Sequence, residues 1–342
     1  MTRTAVVLFN LGGPESPETI QPFLNNLFND PAIIGLPWPL RPLLASVISN
    51  KRQKEAREIY AHIGGRSPLL PGTQAQARAL ETALGDGTRV FIAMRYWHPM
   101  SDDTAHEVAA FKPDLIVLLP LYPQYSTTTT GSSLTAWRKA ARTIGLTVPT
   151  VSVCCYPVSE GVIQAHANLL GAALDDAGDA PVRVLFSAHG LPEKIVRAGD
   201  PYQWQIEQTA EAVLARLGRE ELDWQVCYQS RVGPLTWIGP STEDEIKRAG
   251  ADGKGAVIVP IAFVSEHSET LVELDIEYAE LAAEVGCKPY RRVPALGTEQ
   301  AFIDGLAASV RQALENGRPA IAPDGGRRLC PADWSKCACR EA

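Results

Sequence analysis

Val182-Arg183-Val184-Leu185-Phe186-Ser187-Ala188-His189-Gly190-Leu191-Pro192 starts as a short apolar, β-branched run and ends in a polar turn punctuated by Gly190 and Pro192. The run reads as a buried strand that stops abruptly. Six more runs of the same kind follow this pattern: Ala5 to Phe9, Val90 to Met94, Leu115 to Leu119, Thr150 to Val153, Gln225 to Tyr228 and Ala256 to Ile261. Helical patterns lie between them. That alternation predicts βαβ units, hence parallel sheets with helices on both faces. The expected fold class is α/β, with two similar doubly wound, Rossmann-like domains.

Proline interrupts the pattern at Thr147-Val148-Pro149, which puts the first domain at 1–149 and the second at 150–298. A last helical pattern, strongest from Glu299 to Leu314 and assigned to 299–316, is expected to pack back on the first half. After Gly317 the composition turns to Pro, Gly and Cys, so 317–342 reads as a separate tail. Most strand runs end in polar motifs: Asn10-Leu11-Gly12-Gly13-Pro14, Arg95-Tyr96-Trp97-His98-Pro99, Tyr122-Pro123-Gln124-Tyr125-Ser126, Ser187 to Pro192, Gln229-Ser230-Arg231-Val232-Gly233-Pro234 and Ser265-Glu266-His267. Ligands of open α/β sheets bind outside the carboxyl ends of the strands, so two such sheets imply a cleft between them.

With 342 residues, 45% hydrophobic and 21% charged, the composition is that of a globular protein long enough for two cores. A net charge of −7 argues against nucleic acid as a partner. Met1-Thr2-Arg3-Thr4 leads straight into a strand-like run, without the apolar core and cleavage site of a signal peptide. Nothing approaches the roughly 18 uninterrupted apolar residues of a spanning helix. A cytoplasmic protein is expected, with its seven cysteines as thiols, metal ligands or catalytic groups rather than a disulfide framework.

Glu266 to Glu280 carries six carboxylates and His267, with no Lys or Arg in the run. Leu271, Leu274 and Tyr278 fall at helical spacing, while Glu269, Glu273 and Glu277 recur every four residues and project from nearly one face. Like charges at that spacing oppose a helix by ~0.2–0.5 kcal/mol per pair. A divalent metal would relieve the repulsion; otherwise the row is a solvated acidic face. His189, at a strand end, is either an exposed functional imidazole or a satisfied structural one. His267 is either a second functional imidazole or a helix N-terminal residue bonded to backbone. Histidine with carboxylates suits a borderline divalent ion such as Fe, Zn or Mn. No His-x-x-x-His or Cys-x-x-Cys spacing supports a closed zinc site, so the ion would be held loosely.

Gly12-Gly13-Pro14 lacks both the Gly-x-Gly-x-x-Gly and the Walker spacing, which speaks against nucleotide binding. Thr127 to Ser133 reads as an anion cradle or, more simply, as the cap of the next helix. The apolar, proline-broken segment Ile33 to Ile48 is either a loop covering the core or an exposed lip over an apolar ligand.

At Leu185 to Pro192 and His267 to Tyr278 the chain closely resembles the ferrochelatase family. The resemblance runs from about Ala5 to Leu314 and includes Phe9 to Pro14, Arg95-Tyr96, Tyr122 to Ser126 and Tyr228 to Pro234. It implies the two-domain chelatase type of fold and insertion of ferrous iron into protoporphyrin IX, with release of two protons, in haem synthesis. His189 and Glu269, with His267 beside them, are then the catalytic group; His189, Glu269, Glu273 and Glu277 form the metal path. Arg52 and Arg95 stand at positions near the porphyrin, where propionates need cations. Leu11, Tyr60, Ser67, Tyr125 and Trp237 resemble positions that line its pocket. The partners implied are protoporphyrin IX and ferrous iron, with no nucleic acid, no transmembrane segment and room for peripheral membrane contact. Two other readings use the same features: a chelatase for another tetrapyrrole or metal, such as coproporphyrin or cobalt, and a non-catalytic iron or haem binder.

Cys330, Cys337 and Cys339 cluster in the tail, and a four-thiolate cluster needs one more ligand. The adjacent pair Cys154-Cys155 is the obvious source. Some ferrochelatases carry a [2Fe–2S] cluster of this kind, which implies one here on Cys330, Cys337, Cys339 and either Cys155 or Cys154. The chain departs from the animal-type pattern, whose fourth ligand falls where Ala165 stands here. Cys227 and Cys287 are expected to pack as small buried side chains.

Overall fold

The protein is described from a computed structural model over residues 2–219, 221–316, 321–323 and 326–339. Residues 317–320, which open the expected tail, lie outside the described residues. Among the described residues, nine strands alternate with helices: β1 Thr4–Asn10, β2 Thr88–Met94, β3 Leu115–Pro120, β4 Thr150–Val153, β5 Val182–His189, β6 Asp223–Gln229, β7 Gly255–Pro260, β8 Tyr290–Arg292 and β9 Ile321–Ala322. They form two parallel sheets, ordered β2-β1-β3-β4-β9 and β6-β5-β7-β8. The expected α/β architecture is present.

Both sheets are covered on two faces, which is why their central strands are apolar throughout. In β5, Val184, Phe186 and Ala188 share a cluster with Ile206, Ala210 and Val213 of helix Tyr202–Leu217. Leu185, on the other face, packs with Ile246 and Ala249 of helix Thr242–Ala251 and with Leu274, Tyr278, Cys227 and Cys287. In the first sheet, Val7, Phe9, Ile116 and Leu118 pack with Ala105 and Val108 of helix Ser101–Phe111 and with Leu134, Trp137 and Ala140 of helix Thr130–Thr143.

Two compact units result: the residues up to Cys155 with Ala307–Arg328, and Tyr156–Leu306 with the tail from Leu329. This differs from the expected break at Pro149. Thr150–Val153, read as opening the second half, pairs with β3 and is a strand of the first sheet. Pro149 stands at the entrance of that strand rather than between units; its carbonyl accepts from the Ile116 N–H at 2.9 Å.

Each sheet starts in its interior and adds strands first on one side and then on the other, so the winding, though not the strand direction, reverses between β1 and β3 and again between β5 and β7. Ligand sites of open α/β sheets form at such reversals, outside the carboxyl ends. His189 is the last residue of β5 and lies in register with Gln229, the last of β6.

Candidate active site

In the second unit the chain leaves β5 through Gly190, whose N–H donates to the Gln229 carbonyl at 2.9 Å. A Cβ there would meet Gln229 O at 3.0 Å and the Trp237 ring at 3.3 Å, so only glycine lets the turn lie this close to β6. The turn brings its own carbonyl to His189: Nδ1 stands 2.6 Å from Gly190 O. A carbonyl only accepts, so Nδ1 is the donor there and Nε2 is left to face the site. Nε2 lies 3.5 Å from Glu269 Oε1. The Tyr202 hydroxyl donates to the His189 carbonyl at 3.1 Å and fixes the backbone behind it.

Glu269 opens a π-helix, Glu269–Glu277, that continues as the α-helix Tyr278–Glu284. The sequence pattern suggested an α-helix; the wider i→i+5 turn keeps residues four apart nearly one above another, so the Glu269, Glu273, Glu277 row survives the change. Glu269 Oε2 also lies 3.8 Å from His267 Nδ1, and the Glu269 N–H points at the same nitrogen at 3.4 Å. His267 is thus a buried residue at a helix start, its imidazole pushed towards the neutral form by burial.

Glu273 is the most elaborately held carboxylate of the row. It accepts from the Ser230 N–H at 2.7 Å, the Ser230 hydroxyl at 2.5 Å, the Gln229 amide at 3.0 Å and the Tyr278 hydroxyl at 2.9 Å. Ser230 adopts φ +58°, a conformation rare outside glycine, and in doing so presents both of its donors. All four donors are neutral. Burial, and then the neighbouring Glu269, raise the proton affinity of Glu273 above that of an ordinary carboxyl. Glu277, at the end of the row, is exposed.

Two of the three remaining carboxylates of the acidic run, Glu266 and Asp275, are paired. Arg292, the last residue of β8, pairs bidentately with Asp275 at 2.7 and 2.6 Å and reaches Glu266 Oε1 at 2.6 Å. The cation absent from the run itself therefore arrives from a strand later in the chain. It neutralises one face of the helix and leaves the Glu269, Glu273, Glu277 row alone.

In the first unit the carboxyl ends of β1 and β2 are stitched together: the N–H groups of Arg95 and Tyr96 donate to the carbonyls of Asn10 and Leu11 at 2.8 and 2.9 Å. Leu11, Tyr60 and Tyr96 share one apolar cluster. Gly13 approaches so closely that a Cβ would lie 2.4 Å from Ser67 Oγ, which brings Ser67 beside them. Tyr125 is buried under helix Thr130–Thr143, and a Cβ on Gly131 would meet its hydroxyl at 3.0 Å. Trp237, in the second unit, bridges Pro192. Arg52 makes only a loose pair with Glu55 at 3.6 Å.

Arg95 is already engaged. Its Nη2 pairs with Asp30 Oδ2 at 2.8 Å and its Nε donates to Ser132 Oγ at 2.6 Å. Sequence reading passed over Asp30, and it named Ser132, Gln229 and Ser230 only within longer motifs, with no role for the individual side chains. Asn29-Asp30-Pro31, a carboxylate placed where a helix must stop, is the signal that might have drawn attention to the first of these.

The tail cysteines dock in the second unit. Lys336 N–H donates to the Gly199 carbonyl at 2.9 Å, and the Gln205 amide donates to Cys330 Sγ at 3.1 Å. Cys330, Cys337 and Cys339 are buried, as are Cys154 and Cys155, whose sulfurs lie 3.3 Å apart. Among the described residues no group of three or more His, Cys, Asp or Glu side chains is gathered so as to hold a metal ion.

No described helix is long and apolar enough to cross a membrane. The segment Ile33 to Ile48 exposes Trp38 (77%), Leu43 (66%) and Val47 (64%) rather than covering a core.

The ferrochelatase family profile matches residues 3–314. A ferrochelatase from Caulobacter vibrioides is 59% identical over 345 residues, covering 99% of this chain and 98% of its own length. One from Phenylobacterium zucineum is 56% identical over 344 residues, with 99% and 98% covered. Among solved structures, the sirohydrochlorin chelatase SirB of Bacillus subtilis, determined with cobalt, matches with a TM-score of 0.55 at 11% identity over 92% of this chain and 97% of its own, a likeness of fold alone. Matched along nearly its whole length, this chain belongs to the ferrochelatase family.

Proposed function

We propose that the protein inserts ferrous iron into protoporphyrin IX and releases the two pyrrole protons, as the last step of haem formation. The observation that carries this reading is His189, with Nδ1 against the Gly190 carbonyl and Nε2 turned to Glu269, at the head of a carboxylate row. Nε2 is the group that meets the iron or takes a ring proton, and Glu269 stabilises the imidazolium when a proton arrives. His267, neutral and buried, orients Glu269. Glu273, its proton affinity raised by burial and by Glu269, accepts a proton, and exposed Glu277 exchanges it with water. Iron entering along Glu277, Glu273 and Glu269 brings the charge that the two departing protons remove. One row therefore serves both directions without a net change in charge.

In the first unit, Leu11, Tyr60, Ser67 and Tyr125 are assigned to the porphyrin face, and Arg52 and Arg95 to its propionates. Trp237 is assigned to the same ligand from the second unit. The exposed apolar segment around Trp38 supports peripheral contact with a membrane or another apolar surface. A cytoplasmic location belongs to the same reading.

A [2Fe–2S] cluster on Cys330, Cys337, Cys339 and either Cys155 or Cys154 is its last part. Burial of all five thiols and the amide donated to Cys330 Sγ fit a four-thiolate group, which would supply a covalent staple for the tail. Chemical assay of iron and acid-labile sulfide after anaerobic purification tests it; protein with no sulfide after reconstitution excludes it.

The activity is tested by anaerobic steady-state assay with ferrous iron and protoporphyrin IX, beside coproporphyrin and cobalt. Many turnovers per chain, fastest with iron and protoporphyrin, are expected. Product that stops at one equivalent would identify a binder, and a preference for another ring or metal would reassign the substrate.

A further inference from the structure

Asp30 follows the end of helix Ile20–Phe28, and its side chain is only 2% exposed. Oδ1 accepts the Ala32 N–H at 2.8 Å and shapes the turn. Oδ2 receives three donors: Arg95 Nη2 at 2.8 Å, the Tyr96 hydroxyl at 2.8 Å and the Ser132 hydroxyl in a short contact. Ser132 Oγ in turn accepts from Arg95 Nε, and the guanidinium lies 4.9 Å from the Tyr96 ring centroid. Three contacts thus fix the plane of Arg95 and occupy one edge of its donor fork. With Nε and one Nη2 N–H committed, the Nη1 side is what remains to approach a carboxylate, and the side chain keeps 19% of its exposure.

This arrangement has a cost in affinity. A free guanidinium would grip a propionate bidentately. Here the Nε–Nη2 edge is taken and an anion stands against the cation. Porphyrin and metalloporphyrin carry the same propionates, so energy gained there binds substrate and product alike and does nothing for the chemical step. Weakening it favours release.

We propose that Asp30 is a positioning residue for Arg95 that holds its guanidinium in one orientation and attenuates its charge, so that the porphyrin carboxylates are oriented without being held tightly. The proposal rests on Arg95 being a propionate partner.

The test is equilibrium binding of protoporphyrin IX and of its dimethyl ester to Asp30→Asn, Arg95→Gln and the parent, by fluorescence quenching at low and high salt. Asparagine keeps one acceptor oxygen for Arg95 and Tyr96 and removes the charge; its amide nitrogen replaces the oxygen that accepts the Ala32 N–H, so unchanged binding of the ester is the control for the turn. Asp30→Asn should bind the diacid about three- to tenfold more tightly at low salt, as one uncompensated charge at a partly exposed site warrants. The gain should shrink with salt and be absent for the ester. A purely structural Asp30 would instead weaken both ligands alike. If Arg95→Gln weakens the diacid while Asp30→Asn fails to tighten it, attenuation is wrong and the propionate assignment stands. If Arg95→Gln leaves the diacid unaffected, the assignment fails and the proposal with it. Should Asp30→Asn not fold, Asp30→Ser, which also caps the turn and lacks the charge, is judged by the same outcomes.

Discussion

Glu273 and Asp275 stand two residues apart on one helix, yet they live in opposite electrostatic worlds. Asp275 shares a fixed guanidinium with Glu266. Glu273 has four neutral donors, no guanidinium among them, and burial that favours its protonated form. A carboxylate locked to arginine is a structural fastener. One held by neutral groups, near a second carboxylate, can change charge during a reaction. On the proposed function, the difference separates the face of the helix that handles protons and metal from the face that anchors it.

The largest effect is expected at the head of the active face. His189→Ala should reduce turnover by ~10²–10⁴-fold, the usual scale for a general acid–base group, while porphyrin binding survives. Steady-state rates with parallel binding measurements decide this; a variant retaining more than about a tenth of the activity would break the comparison at its strongest point.

On the anchoring face, Arg292→Leu should destabilise the protein without touching the chemistry directly. Removing one partner of a buried ion pair commonly costs about 3–5 kcal/mol; Asp275 and Glu266 keep 33% and 31% exposure, so about 2–3 kcal/mol is expected. Denaturant unfolding measures it. Unchanged stability would make Arg292 a bystander.

Glu273→Gln should raise the metal concentration needed for half-maximal rate more than it alters porphyrin affinity. It also sharpens the contrast through pH. A carboxyl whose proton affinity is raised by folding contributes stability that is fully present below its ordinary value of 4.5 and is lost as pH rises through the raised value. The stability difference between the variant and its parent should therefore shift in the variant's favour as pH rises from about 4 upwards. Melting curves across pH would show it, and a constant difference would contradict a raised proton affinity.

The α/β architecture was legible because parallel strands covered on both faces must be largely apolar, as Ala5 to Phe9 and Val184 to Phe186 are. Strand membership was harder: Thr150–Val153 looks the same whichever sheet it joins, and only long-range pairing with β3 decides. The acidic row was visible as spacing. Its selective neutralisation was not, because Arg292 lies 17 residues beyond Asp275 and nothing local ties them. Asp30 and Ser132 escaped for the same reason, their shared guanidinium being 65 residues from one and 37 from the other. Ser230 was unreadable as a donor, since its use depends on a positive φ that its residue type does not announce.

The central claim, that one helix divides its carboxylates between reaction and anchoring, is tested most directly by comparing Glu273→Gln with Asp275→Asn in anaerobic turnover of ferrous iron and protoporphyrin IX, alongside thermal unfolding. Glu273→Gln is expected to lose most of its turnover while staying folded; Asp275→Asn is expected to lose stability while the folded fraction turns over at nearly the parental rate. Full activity in Glu273→Gln together with a dead but stable Asp275→Asn would contradict the account.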